Sequence, residues 1–447
     1  MADLLALSER IIDSGVADEP VNRVTQELSE LADGVALIES FSHVVVIRTD
    51  EGLVCFDASG AMTGTAVVES LRGWSTDPVR ALVYTHGHVD HVGGSGAFVA
   101  DARGAGRPDP EVIAHENVPV RMDRYDLTNG YNSIINARQF GGVRANLGIG
   151  GQARFLPADA VRPRVTFADR LGARFGGLEV EMRHARGETD DHLWAWLPEQ
   201  KALCTGDFLI WNFPNAGNPQ KVQRWPVEWA RALREMAALD AELLLPAHGL
   251  PIAGRDRIHR VLDDVATALE RLVADVLDLM NQGATLDTIV HTVRVDPDLL
   301  AKPYLRPLYD EPEFVVRNVW RQYGGWYDGD PSRLKPAPAA TFASEIAGLT
   351  GGAEALAARA REVADDGDLR LACQLVELAV QAAPDSVEAH GARAEIYERR
   401  RKSESSLMAK GIFGHAVRQS LEVTGGDVPR RGDGDDTSGL RPQRPRE

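Results

Sequence analysis

The chain of 447 residues is 44% hydrophobic and 26% charged, enough to bury a core and to form two or three domains. Its formal net charge of −17 argues against nucleic acid or an anionic membrane surface as partner, since both are held by basic patches, and leaves small molecules as candidates. Cys55, Cys204 and Cys373 are far apart, odd in number and without metal-type spacing, so they read as buried apolar thiols, not as a disulfide framework or a thiolate zinc site.

The opening MADLLALSERIIDSGVADEP has acidic residues within a short apolar run and no basic start. It reads as part of a helical extension over residues 1–33, not as a signal peptide. No segment approaches the roughly 20 apolar residues of a membrane span, and a reducing cytoplasm is expected. GVALIESFSHVVVIRTDEGLVCFDAS (Gly34 to Ser59) alternates β-branched and turn residues and predicts consecutive antiparallel strands. VRALVYT predicts a further strand that runs straight into YTHGHVDHVGG (Tyr84 to Gly94). EVIAHE, LEVEMRHA and AELLLPAHG predict more strands, and LWAWLPEQKALCTGDFL a hairpin turning at Pro198 to Gln200. PVEWARALREMAAL (Pro226 to Leu239) predicts a helix with proline in its first turn. Strands alternating with helices define an α/β architecture over residues 34–254.

From Arg255 the pattern becomes helical, with RIHRVLDDVATALERLVADVLDLMNQG ending in a glycine stop. YGGWYDGDPSRLKPAPAA (Tyr323 to Ala340) reads as an irregular linker or packed loop. LRLACQLVELAVQAAPDSVEAHGARAEIYERR resembles a single helix-turn-helix unit of the tetratricopeptide kind. The helical domain is placed at 255–423, and the polar stretch 424–447 is read as a disordered tail.

Within THGHVDH, His86 and His88 point the same way from an extended backbone, while Asp90 and His91 can turn toward a second point. That pattern suits two neighbouring metals, and imidazole with carboxylate suits zinc, manganese or iron. THGHVDH at a strand end resembles the signature of the metallo-β-lactamase fold, an αββα sandwich with metals at its strand ends. The resemblance implies further ligands in order: Glu188 in RGETDDH, with His184, Asp190 and His192 as rivals, then Asp207 in CTGDFL and His248 in LLLPAHG. It assigns His86, His88 and Glu188 to one metal, Asp90, His91 and His248 to the other, and makes Asp207 the bridge.

Glutamate in place of the third histidine resembles the alkylsulfatase branch, as do GGWYDGDPSRLKPAP, the helical region around it and INARQFG (Ile135 to Gly141). The expected fold is therefore an αββα sandwich followed by an all-α dimerisation domain. Three features depart from that branch. Asp207 stands where its members use glutamate, LIWNFPNAGNPQKVQRW keeps an asparagine (Asn212 or Asn215) but no Arg-Gly, and a sterol-carrier-like C-terminal domain does not follow. The implied function is hydrolysis of an alkyl sulfate ester by a metal-bound hydroxide on two divalent ions, with zinc expected and manganese or iron as alternatives. In this picture Asp90 and Asp207 hold the nucleophile, and His115 or Tyr131 supplies the leaving group's proton. Hydrolysis of a carboxylic ester, lactone or thioester is the alternative; iron redox chemistry and a binding protein without activity stand behind it. Trp211, Phe213, Trp225 and Trp229 are candidates for an apolar substrate wall, with Trp229 equally suited to the core. A small ester with an apolar chain and a second copy of the chain are the expected partners.

Overall fold

The structure, a computed structural model, describes residues 3–140 and 154–426. Its first sheet runs in the order β1 (Leu28–Ala32), β2 (Val35–Ile38), β3 (Val44–Thr49), β4 (Gly52–Phe56), β5 (Val79–Val83), β6 (Glu111–His115), β7 (Val165–Phe167). Strands β1 to β4 form an antiparallel meander, and β4 to β7 are parallel. The second sheet contains β8 (Arg170–Phe175), β9 (Leu178–His184), β10 (Leu193–Leu197), β11 (Ala202–Gly206), β12 (Leu243–Pro246) and β13 (Ile252–Ala253), in sequential order across the sheet. All its pairings are antiparallel except β11 with β12, which are joined through the helix Pro226–Ala237.

Alternation along the strands decides which core each side chain enters. Leu37, Val45, Ile47, Val54 and Val83 face the second sheet, while Ala36, Val44, Val46, Leu53 and Leu82 face the outer helices Gly64–Trp74, Ser95–Gly104 and Asn117–Leu127. Both faces of the sheet are thus buried, as parallel strands require. Burying each such side chain contributes roughly 1.5–3 kcal/mol relative to leaving it exposed.

On the far side of the second sheet lie the helices Pro226–Ala237 and Arg255–Asn281. The longer one buries Ile258, Val261, Leu262, Val265, Leu269 and Leu272 in the same core as β9 to β12. So the change of pattern at Arg255 does not coincide with a break in packing. A separate core is formed by Ala353–Asp365, Leu369–Ala382, Val387–Ser403 and Leu407–Thr424, around residues such as Leu356, Val376 and Ile396.

Two local expectations are corrected. Residues 28–32, within the stretch read as a helical extension, form edge strand β1, because Ser29 and Glu30 pair with Leu37 and Ala36 of β2. Only Leu4–Ser14 is helical there. At the other end, Leu407–Thr424 runs to its glycine cap at Gly425, φ +69°; residues 427–447 of the expected tail, and Gly141 of the INARQFG element, lie outside the described residues. Among the described residues no helix is long and apolar enough to cross a membrane.

Candidate metal centre

The strand ends of both sheets meet at one rim, and the chemistry-bearing side chains stand there. β5 delivers His86 and His88, and the short helix Val89–Val92 that follows turns Asp90 and His91 inward. β11 ends at Gly206, φ +52°, just before Asp207; a Cβ on that glycine would lie 2.7 Å from His192 Nε2 and 2.8 Å from Thr85 Cβ. Glycine is needed both for the left-handed backbone and for the space. β12 supplies His248, and the loop after β9 supplies Glu188.

The donor atoms converge. His86 Nε2 lies 2.9 Å from His88 Nδ1 and 3.9 Å from Asp207 Oδ2, and His88 Nδ1 lies 3.6 Å from Glu188 Oε1. On the other side His91 Nε2 and His248 Nε2 each stand 3.5 Å from Asp207 Oδ1, and they stand 3.6 Å and 3.5 Å from Asp90 Oδ2. Two groups capable of holding a cation result: His86, His88 and Asp207, and Asp90, His91 and His248. Glu188 borders the first, and Asp207 lies between the two. The structure thus gathers all seven residues expected from the sequence.

This arrangement fits divalent cations. His91 Nε2, Asp207 Oδ1 and Glu188 Oε2 are buried without a hydrogen-bond partner, a costly state for polar atoms unless something binds there. Burial pushes Glu188 up to about 8 even against the Arg224 charge, with Asp207 adding to the rise. Burial likewise acts on Asp207, yet His248 and His91 hold it well below the usual carboxylate range. Each of these buried carboxylates raises the cost of ionising the other, and a cation held between them would remove that cost. His86 and His88 are held well below the ordinary histidine value by burial, and thus neutral, the form that ligates.

Supporting residues aim the rings. Asp57, at φ +63° directly after β4, takes the Thr85 N–H and hydroxyl at 2.7 and 2.8 Å and contacts His91 Nδ1 at 2.8 Å, leaving Nε2 of that ring to face the centre. Asp191 accepts from the Gly87 N–H at 3.2 Å and from Arg121 Nε at 2.6 Å, pinning the loop between the two first histidines. Neither carboxylate was singled out in the sequence. Asp57 carries a signal that could have found it, an aspartate at a strand end just before a Ser-Gly turn.

The rivals of Glu188 are engaged elsewhere. His192 Nε2 accepts the Asp207 N–H at 3.1 Å and its ring stacks on Phe208. His184 Nδ1 contacts the His192 carbonyl at 2.8 Å, and Asp190 pairs with Arg121. Glu188 itself meets Arg224 at 2.8 Å and accepts a bond from Asn215. Of the two proposed proton donors, His115 is stacked on His184 at 3.7 Å and accepts from Asn117 N–H, away from the centre, whereas Tyr131 lines the cavity in front of it.

The expected aromatic wall is overturned. Trp211, φ +53°, donates to the Leu250 carbonyl at 2.8 Å and is fully buried in the core of the catalytic unit, as are Phe213 and Trp229. Trp225 packs under Arg186. The loop alternates, so Ile210, Asn212 and Asn215 face the cavity instead.

Residues 37–248 match the metallo-beta-lactamase superfamily and residues 285–422 match the alkyl sulfatase dimerisation family. The chain is 28% identical to a linear primary-alkylsulfatase of a Pseudomonas species, covering 79% of this chain and 69% of that one. It is 25% identical to the alkyl/aryl-sulfatase BDS1 of Saccharomyces cerevisiae, covering 83% and 60% respectively. The fold matches the stereoselective inverting sec-alkylsulfatase Pisa1 from Pseudomonas sp. with a TM-score of 0.78 at 24% identity, over 88% of this chain and 66% of that one. Residues 37–248 therefore belong to the metallo-β-lactamase superfamily and residues 285–422 to the alkyl sulfatase dimerisation family, the pair of domains that the resemblance to the alkylsulfatase branch implied. The chain spans 60% to 69% of the length of these relatives.

Proposed function

We propose that the protein hydrolyses an alkyl sulfate ester at this centre, with His86, His88 and Glu188 holding one divalent cation, Asp90, His91 and His248 the other, and Asp207 between them. The observation that carries the reading is the convergence of these seven side chains around buried, unpartnered Nε2 and Oδ1 atoms at the floor of a cavity. Cations there, with zinc first and manganese or iron as alternatives, would polarise the ester and lower the pKa of a water. Asp90 and Asp207 offer carboxylate oxygens to orient that water. Arg224 and Asn215, both buried against Glu188, stand where anionic sulfate oxygens can be held although the Arg-Gly pair of the branch is absent. The alkylsulfatase relatives support sulfate over a carboxylic ester, lactone or thioester.

We further infer a homodimer located in the cytoplasm. The dimerisation-family match and the exposed apolar side chains Trp326, Leu334, Phe342 and Leu349 support the first; three free, buried cysteines accord with the second. We place the end of the catalytic unit beyond the helix Arg255–Asn281, because its apolar face completes the second sheet's core. Metal analysis of the purified protein, combined with a hydrolysis screen over sulfate, carboxylate, lactone and phosphate esters, tests the reading. Close to two metals per chain and turnover of sulfate esters are expected; turnover confined to carboxylic esters or lactones would replace sulfate as the substrate.

A further inference from the structure

The cavity in front of the candidate metal centre measures about 2010 Å³, and its charge opposes that of the chain. Eleven Lys and Arg residues line it, against three acidic residues other than Asp90, Glu188 and Asp207. Those three are already neutralised, Asp18 and Glu19 by Arg10, and Glu398 by Arg401 and Lys402. Arg124, Lys221, Arg306, Arg321 and Lys410, by contrast, meet no carboxylate among the described residues. Lys221 donates only to Asn136 Oδ1 at 3.1 Å, Arg321 bonds to the neutral Gln223 and Asn318, and Arg306 Nε is buried with no partner. Like charges gathered around one cavity without counter-charge repel one another, and an anionic ligand offsets that repulsion.

Four of these cations fall in two groups. Lys221 and Arg321 accompany Arg224 on the side of Glu188. Arg306 and Lys410 form the second group: the Arg306 carbonyl accepts the Phe213 N–H at 3.0 Å, and the Leu407 N–H donates to the Leu308 carbonyl at 2.8 Å. The segment that carries Arg306 is thereby fixed between the asparagine-bearing loop and the helix Leu407–Thr424, which carries Lys410 one turn in. Leu308 and Leu407 face the cavity beside them. A singly charged ester answers the first group only.

We propose that the cavity takes a doubly anionic organic sulfate, with the ester sulfate beside Arg224 and a second acidic group of the same molecule held by Arg306 and Lys410. This assignment rests on the sulfate-ester reading and goes beyond it by naming the substrate's second charge. The test compares a straight-chain alkyl monosulfate with its ω-carboxylate analogue of equal length, by specificity constant and by calorimetric binding to the metal-loaded protein. A preference of about tenfold or more for the dianion is expected, expressed in KM and weakened by added salt. Arg306→Gln and Lys410→Gln should each bring the ratio toward one, and Lys410→Arg should restore it. Equal constants for the two substrates, or a preference that survives both glutamine variants, would overturn the proposal. If neither ester is hydrolysed, the sulfate-ester reading fails, and the calorimetric comparison still decides whether the second anion is recognised.

Discussion

Asp207 lies 3.5 to 3.9 Å from donor atoms of His86, His91 and His248 and so reaches both candidate cation groups. Asp207→Ala should lower both metal content and turnover, read by elemental analysis and initial rates, and full metal with full rate would remove its bridging role. Glu188 and His192 separate by what they touch. Glu188→Gln should weaken uptake of one metal more than the other in a chelator competition. His192→Ala, which deletes a fully buried ring and the acceptor of the Asp207 N–H, should cost roughly 2–4 kcal/mol of stability while leaving metal content near that of the parent. Lys221 predicts a pH dependence. Burial, reinforced by Arg224, lowers its amine to about 7, against the opposite pull of Asp90 and Glu188, with Arg124 adding to the lowering and Asn136 as its neutral partner. The charged form dominates below that value, so its hold on an anionic ester fades as pH rises through neutrality. KM should climb over that range, and Lys221→Arg should flatten the rise; an unchanged profile would exclude Lys221 from substrate binding.

At the scale of elements, the cavity depends on how closely the helix Leu407–Thr424 approaches the helix Asn129–Gln139. A Cβ on Gly411 would run into the Gln139 carbonyl, a backbone atom that cannot move aside cheaply, whereas one on Gly414 would meet only flexible side chains, Arg401 at 3.2 Å and Arg418 at 3.8 Å. Gly411→Ala should therefore destabilise by about 1–3 kcal/mol in urea unfolding and loosen the wall that carries Lys410. Gly414→Ala should be tolerated apart from its modest gain in helix propensity. Equal effects at the two positions would mean that the helices do not cross as tightly as this. The same contact explains why the helical layer can shape the substrate cavity although its core is distinct from that of the sandwich.

For the molecule as a whole, residues 331–342 are exposed throughout, and Phe342 and Leu349 on the helix Ala339–Leu349 are 54% and 76% exposed. An alanine-rich helix with such a face is covered most simply by a second copy. Phe342→Glu should shift sedimentation of the full chain from dimer toward monomer at micromolar concentration while metal content holds. A dimer as tight as the parent's would move the interface elsewhere.

The sequence by itself determined the metal-type signature, its place at a strand end and the order of the candidate ligands, because strand termini and ligand types are written locally in motifs such as THGHVDH, CTGDFL and LLLPAHG. It also carried the α/β class and the helical region, through a period that switches from alternation to helical spacing, while the αββα layering was implied by the resemblance that THGHVDH carries. Tertiary structure decided the rest. LSELA becomes a strand only because β2 offers an edge, and the helix from Arg255 joins the sandwich because the second sheet presents an uncovered apolar face. Trp211 and Phe213 turn into the core because a left-handed residue sets the alternation of their loop, a choice no local pattern encodes. The basic lining of the cavity comes from Arg124, Lys221, Arg306, Arg321 and Lys410, cations scattered over nearly 300 residues of an acidic chain, and only folding sums their field in one place.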